Sequence, residues 1–177
     1  MKNRKHKIFA IPLIMCFFTI ILFQFVFMLG YVSSKSMEPT ISEGNIIIGL
    51  RIFKEIQRGD IVICEKDDHT IVKRVSGVPG DIIYILSETS TISVNVELEN
   101  ADRIVVIQER CYFLLGDNSN NSFDSRYWDD PLVKVECIKA LLPRTNKMSF
   151  TSYNMDYMKL AISDLVRVYG TFLSITV

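Results

Sequence analysis

Histidine is nearly missing from this chain: His6 and His69 are its only two copies. A hydrolase that relies on an imidazole base therefore has little to draw on. Charge of one sign is missing too, with 20 basic and 20 acidic residues and zero formal net charge. Nucleic-acid binding calls for a clustered basic face, so nothing favours a nucleic-acid partner. The four cysteines, Cys16, Cys64, Cys111 and Cys137, show no C-x-x-C spacing and no nearby histidine pair. A zinc site is not expected, and no metal or cofactor is called for. Cys16 lies in an apolar run; the sequence leaves open one disulfide among the other three, and small buried side chains in strands are the plainer reading. There is no internal repeat and no low-complexity stretch. At 177 residues the chain suits one domain plus an attachment.

One long hydrophobic run is present. Lys2, Arg4, Lys5 and Lys7 precede an apolar stretch from Ile8 to Val32, and no charge occurs between Lys7 and Lys35. Roughly 25 residues at ~1.5 Å each span a ~30 Å hydrocarbon core with some tilt. Pro12 falls in the first turns, where its missing N–H is tolerated. The run is longer than a secretory h-region and no A-x-A-like site follows it, so a membrane anchor over 8–32 is expected. The basic residues place 1–7 in the cytoplasm and everything after Val32 outside. His6 is then on the wrong side for an outer site.

From Glu43 onward, short β-prone runs alternate with turn residues. Candidate strands are 45–50, 60–64, 70–75, 81–86, 92–98, 104–108, 111–115 and 136–141. They predict a mostly β, antiparallel barrel or sandwich over 33–145. Gly77-Val-Pro-Gly-Asp81 reads as a turn between two of them. In the remaining tail, 146–177, Tyr157, Leu160, Ala161, Leu165, Val168 and Phe172 recur at helical spacing. An amphipathic helix is expected there, either covering the β domain or lying on the outer membrane surface.

The residues that carry chemistry fall in separate blocks. Ser34-Lys-Ser36-Met-Glu-Pro-Thr40 follows the apolar run. A serine hydroxyl needs a base beside it, and a lysine can serve if burial keeps it neutral. Lys73 lies in Ile71-Val-Lys-Arg-Val75, where strand alternation puts Ile71 and Val75 on its own face. Spacing alone leaves a solvated strand lysine as the rival reading. Gly116-Asp-Asn-Ser-Asn-Asn-Ser122-Phe-Asp124-Ser-Arg126-Tyr-Trp128 reads by itself as a solvated loop with a surface ion pair.

Together these blocks resemble the bacterial type I signal peptidases, membrane-anchored serine proteases that remove signal peptides from exported proteins. The matching stretches are Ser34–Thr40, Gly59-Asp-Ile-Val62, Lys73-Arg-Val-Ser-Gly-Val-Pro-Gly-Asp81 and Gly116–Trp128. The resemblance covers about 32–140. It implies Ser36 as nucleophile and Lys73 as general base. It implies an oxyanion hole from the Ser34 hydroxyl and the Ser36 N–H. Ser122 would hydrogen-bond the lysine, and Asp124 with Arg126 would form a supporting ion pair, with Asp117 nearby. Val32, Met37, Ile41, Ile71 and Val72 would line a pocket for a small side chain before the cleavage point. The implied partners are signal peptides of exported preproteins, the lipid bilayer and the secretion machinery; the implied place is the outer face of a bacterial cell membrane. The reticulum branch of the family has histidine where this chain has Lys73, and His69 is displaced from that position, so it reads as a loop or strand-edge residue.

The chain departs from the family at Asp129 and Ile138, where glycine is usual, and at Gln108-Glu-Arg110. These positions lie outside the dyad and bear on local shape. Two further readings stay open: a peptidase dedicated to a few substrates, and a non-catalytic assembly factor for a pilus or secreted-peptide system. Retention of both Ser36 and Lys73 counts against the second.

Overall fold

The computed structural model describes residues 3–143 and 174–175. Helix α1 (Asn3–Val26) leads directly into strand β1 (Phe27–Val32). The apolar run therefore does not stay helical to Val32. Gly30 is a poor helix former, and two contacts redirect the chain. The Val26 carbonyl accepts the Arg51 N–H at 2.8 Å, and the Phe27 carbonyl accepts Arg51 Nε at 3.2 Å. β1 then pairs antiparallel with β2 (Ile46–Leu50) from Phe27↔Leu50 to Tyr31↔Ile46. The large side chains described on α1, among them Leu13, Phe17, Phe18 and Phe25, are exposed. Among the described residues, whose side chains on α1 begin at Ile11, no helix is long and apolar enough to cross a membrane.

The expected strands form with modest shifts at their ends. They are β3 (Ile61–Lys66), β4 (His69–Gly77), β5 (Ile82–Leu86), β6 (Thr91–Val94), β7 (Arg103–Val106), β8 (Cys111–Leu115) and β10 (Ile138–Leu141). β9 (Leu132–Lys134) and β11 (Ser174–Ile175) were not anticipated. The expected tail helix lies outside the described residues.

The strands make one eight-stranded sheet, β11-β1-β2-β10-β3-β4-β8-β9, and a three-stranded sheet, β6-β5-β7. Every pairing is antiparallel except β1 with β11. Strand alternation sorts the large sheet into two cores. Val62, Cys64, Ile71, Val75, Leu114, Trp128 and Ile138 gather on one face, while Met28, Val32, Met37, Ile47, Ile63, Val72 and Ala140 gather on the other. β1 and β4 are far apart in strand order, yet Val32 and Val72 share that second core, so the sheet curls until the two strands face each other. Ile83, Ile85, Ile107 and Phe113 seat the small sheet against β8.

The predicted turn at 77–81 joins β4 to β5. Gly80 takes φ +90°, a region glycine enters without steric cost. Asp81 locks the turn, accepting the Val78 N–H at 2.7 Å, Arg58 at 2.6 Å and the Asn95 amide at 2.7 Å.

Candidate active site

β1 delivers the chain into the Ser34–Thr40 turn. Met37 points into the Val32–Val72 core, which fixes the turn from below. The Ile41 N–H bonds the Met37 carbonyl at 2.9 Å. Asn118 holds the turn from the side: its N–H donates to the Ser36 carbonyl at 2.9 Å and its Nδ2 to the Lys35 carbonyl at 3.1 Å. Ser36 itself is buried. Its N–H meets the Ser34 hydroxyl at 3.4 Å, a long and weak bond.

Lys73 lies mid-strand in β4, opposite Val62. It is fully buried and on the face of Ile71 and Val75, as alternation predicts. Its amine is buried without a hydrogen-bond partner among the described residues; the buried Ser122 hydroxyl makes no bond of good geometry either, though it lies close enough to Asp124 to help keep that carboxylate charged. The bond expected between Ser122 and Lys73 is thus not made here, nor does the amine bond Ser36. Catalytic hydrogen bonds often tighten only when substrate binds. Burial pushes the Lys73 pKa down from 10.5 to about 8, against an upward pull from the Asp124 carboxylate.

The 116–126 loop closes on both groups. A Cβ at Gly116 would collide with the Ser122 side chain and would come within 2.6 Å of the Ser36 carbonyl oxygen. Glycine is required by this close approach. Asp124 is fully buried and accepts Arg126 Nε and Nη2, each at 2.8 Å, and the Gly116 N–H at 2.9 Å. Burial alone would raise its pKa; the Arg126 guanidinium and the Gly116 N–H together hold it below the usual carboxylate range. The surface ion pair suggested by the loop's composition is in fact a buried, bidentate one.

Arg74 escaped notice in the sequence, and it joins all four motif blocks. Its guanidinium binds both oxygens of Asp117 at 2.7 and 2.6 Å, the Gly59 carbonyl at 2.8 Å and the Thr40 hydroxyl at 3.4 Å. Asp117, expected near the Asp124–Arg126 pair, is itself paired with the residue after the lysine. Its fixed place beside Lys73 was the available signal. Ser125 was also missed; its hydroxyl accepts the Leu114 N–H at 2.9 Å and anchors the loop to β8.

Of the expected pocket residues, Val32, Met37, Ile41 and Val72 come together in one core. Ile71 does not join them, because alternation turns it to the Lys73 face. His69 opens β4, exposed and paired with Lys66 at the strand edge. The described cysteines are all free, and burial pushes the Cys64 thiol up to about 12.

On an antiparallel β frame, a buried serine turn and a buried lysine meet the same 116–126 loop, an arrangement open to serine hydrolases that use a lysine base. The family described as signal peptidase, peptidase S26, matches residues 5–100 and 87–141. The chain belongs to this signal peptidase family and is a serine endopeptidase. It is 30% identical over 150 residues to the signal peptidase I of Bacillus licheniformis, covering 70% of this chain and 81% of that one. It is 28% identical over 137 residues to the mitochondrial inner membrane protease subunit 1 of Schizosaccharomyces pombe, covering 71% and 80%. A solved signal peptidase I from Enterococcus faecalis V583 aligns over 52% of this chain and all of its own, at 23% identity and a TM-score of 0.39.

Proposed function

We infer that the protein is a signal peptidase I that cuts exported preproteins after small residues, with Ser36 as nucleophile and Lys73 as general base. The observation that carries this is the Lys73 amine, buried and unpartnered within electrostatic reach of Asp124, whose carboxylate binds the Gly116 N–H where Gly116 packs against Ser122 and the Ser36 carbonyl. A neutral amine there accepts the Ser36 hydroxyl proton as Oγ bonds the scissile carbonyl carbon. Collapse of the tetrahedral adduct breaks the C–N bond, and the lysine ammonium returns the proton to the leaving amine. The neutral amine then activates water to hydrolyse the acyl-enzyme. Ser122 orients the amine, and Asp124 with Arg126 and Asp117 with Arg74 keep the two loops in register. The Ser36 N–H and Ser34 hydroxyl stabilise the oxyanion; their mutual bond is weak enough to be given up. Val32, Met37, Ile41 and Val72 supply an aliphatic wall that suits an alanine-like side chain.

The apolar part of α1, 8–26, anchors the enzyme in the cell membrane, with 1–7 cytoplasmic and the β domain on the outer face. Its ~19 residues give about 28 Å of helix, close to a ~30 Å hydrocarbon core. The exposed apolar side chains along it support this placement. β1 then starts at the bilayer surface and sets the Ser34–Thr40 turn close above it. A signal peptide lying in the same bilayer, handed over by the secretion machinery, presents its cleavage point near that height.

Cleavage of a model preprotein by the detergent-solubilised protein tests the reading. Ser36→Ala and Lys73→Ala should each abolish it, and full activity in Lys73→Ala would sink the dyad.

A further inference from the structure

Two strand edges face each other beside the Ser36 turn. β2 pairs along one side of β1, and the last residue of β1, Val32, lies two positions before Ser34. β4 pairs with β3 along its length, but its pairing with β8 starts at Arg74. The stretch Thr70–Lys73 therefore has no strand paired to it on its β8 side among the described residues. The slot between these edges is occupied. Ser174–Ile175 runs parallel to β1, with Tyr31↔Ser174 and Val32↔Ile175, and lies against β4 as well.

An extended polypeptide reaches a β-framed site most simply by adding a strand, because backbone hydrogen bonds do not depend on sequence. A preprotein that brings its scissile carbonyl to Ser36 must pass this slot, since β1 leads to the nucleophile and β4 carries the base. We propose that Ser174–Ile175 is an intramolecular plug: it fills the strand slot between β1 and β4, and substrate enters by displacing it. The proposal rests on the Ser36–Lys73 reading. A two-residue pairing is shallow, so the plug raises the apparent KM without touching the chemistry. Displacement by a tightly matching preprotein then selects against weak substrates.

The test is Ile175→Pro in the full-length protein, with deletion of 174–177 as a second variant. Proline removes the N–H at the position paired with Val32. KM for a model preprotein should fall about fivefold, the factor that one net backbone hydrogen bond supplies. The kcat should be unchanged. A synthetic peptide of residues 171–177 added to either variant should restore the higher KM competitively, and the same peptide with proline at the 175 position should not. An unchanged KM together with no competition overturns the plug. Failure of both variants to fold would make the segment structural and overturns it equally. Ser36→Ala in the Ile175→Pro background separates the two readings. If it abolishes cleavage while KM has not moved, the plug alone falls; if cleavage survives, the catalytic reading falls and takes the plug with it.

Discussion

Asp124→Asn separates the electrostatic role of the buried pair from its structural one. Asp124 receives two charge-assisted bonds from Arg126 at 2.8 Å and one from the Gly116 N–H at 2.9 Å. The amide can keep one acceptor, but it cannot balance a guanidinium whose side chain is 6% exposed. Breaking a buried pair from one side costs about 3–5 kcal/mol, which for a chain of this size lowers Tm by roughly 10 °C. The second consequence is on Lys73. Burial lowers the lysine pKa and the Asp124 carboxylate is the larger of two upward influences, so removing it lets burial and Arg126 pull the pKa further down. The acidic limb of the kcat/KM profile should therefore move to lower pH, even as the maximum falls. Thermal melts and a pH–rate profile on the folded fraction read the two effects separately. A limb that stays in place or moves to higher pH would refute the assignment of Asp124 as the charge that tunes Lys73.

Three further outcomes follow from the geometry. Gly116→Ala puts a methyl group into the Ser122 side chain and the Ser36 carbonyl; it should cost about 1–3 kcal/mol of stability and, through displacement of the nucleophile, about a hundredfold in kcat, measured by urea melts and cleavage rates. Ser34→Ala should lower kcat by about 10²–10³ with KM little changed, the signature of a lost oxyanion donor in steady-state kinetics. Stability should rise with pH between about 8 and 10.5, because the native chain then holds fewer protons on Lys73 than the unfolded chain does. The full gain is about 3 kcal/mol, seen as a rising urea midpoint that Lys73→Met abolishes.

Features that follow from local pattern were legible. Alternation in Ile71–Val75 placed Lys73 on an apolar face, and the β-prone runs gave most of the strands. Features set by tertiary contact were not. Phe27–Val32 continues an apolar helix in composition, and only the Arg51 contacts and pairing with β2 make it a strand. Leu132–Lys134 is too short to announce itself, and it exists because β8 offers it an edge. Asp124 and Arg126 sit in a run of asparagine and serine that reads as solvated, whereas the loop folds under and buries both. Arg74 was overlooked because a guanidinium's partners come from distant loops. Ile71 was grouped with Val72 by motif position, and strand alternation separates them.

For Ser36 to lose its proton to Lys73, the lysine must be neutral enough near physiological pH. Selective ¹⁵N and ¹³C labelling of lysine, with Lys73→Met to assign the resonance, lets NMR follow the Lys73 side chain directly as pH is raised. A titration midpoint at about 8 is expected in the folded protein, and a midpoint at the ordinary value of 10.5 would rule Lys73 out as the base.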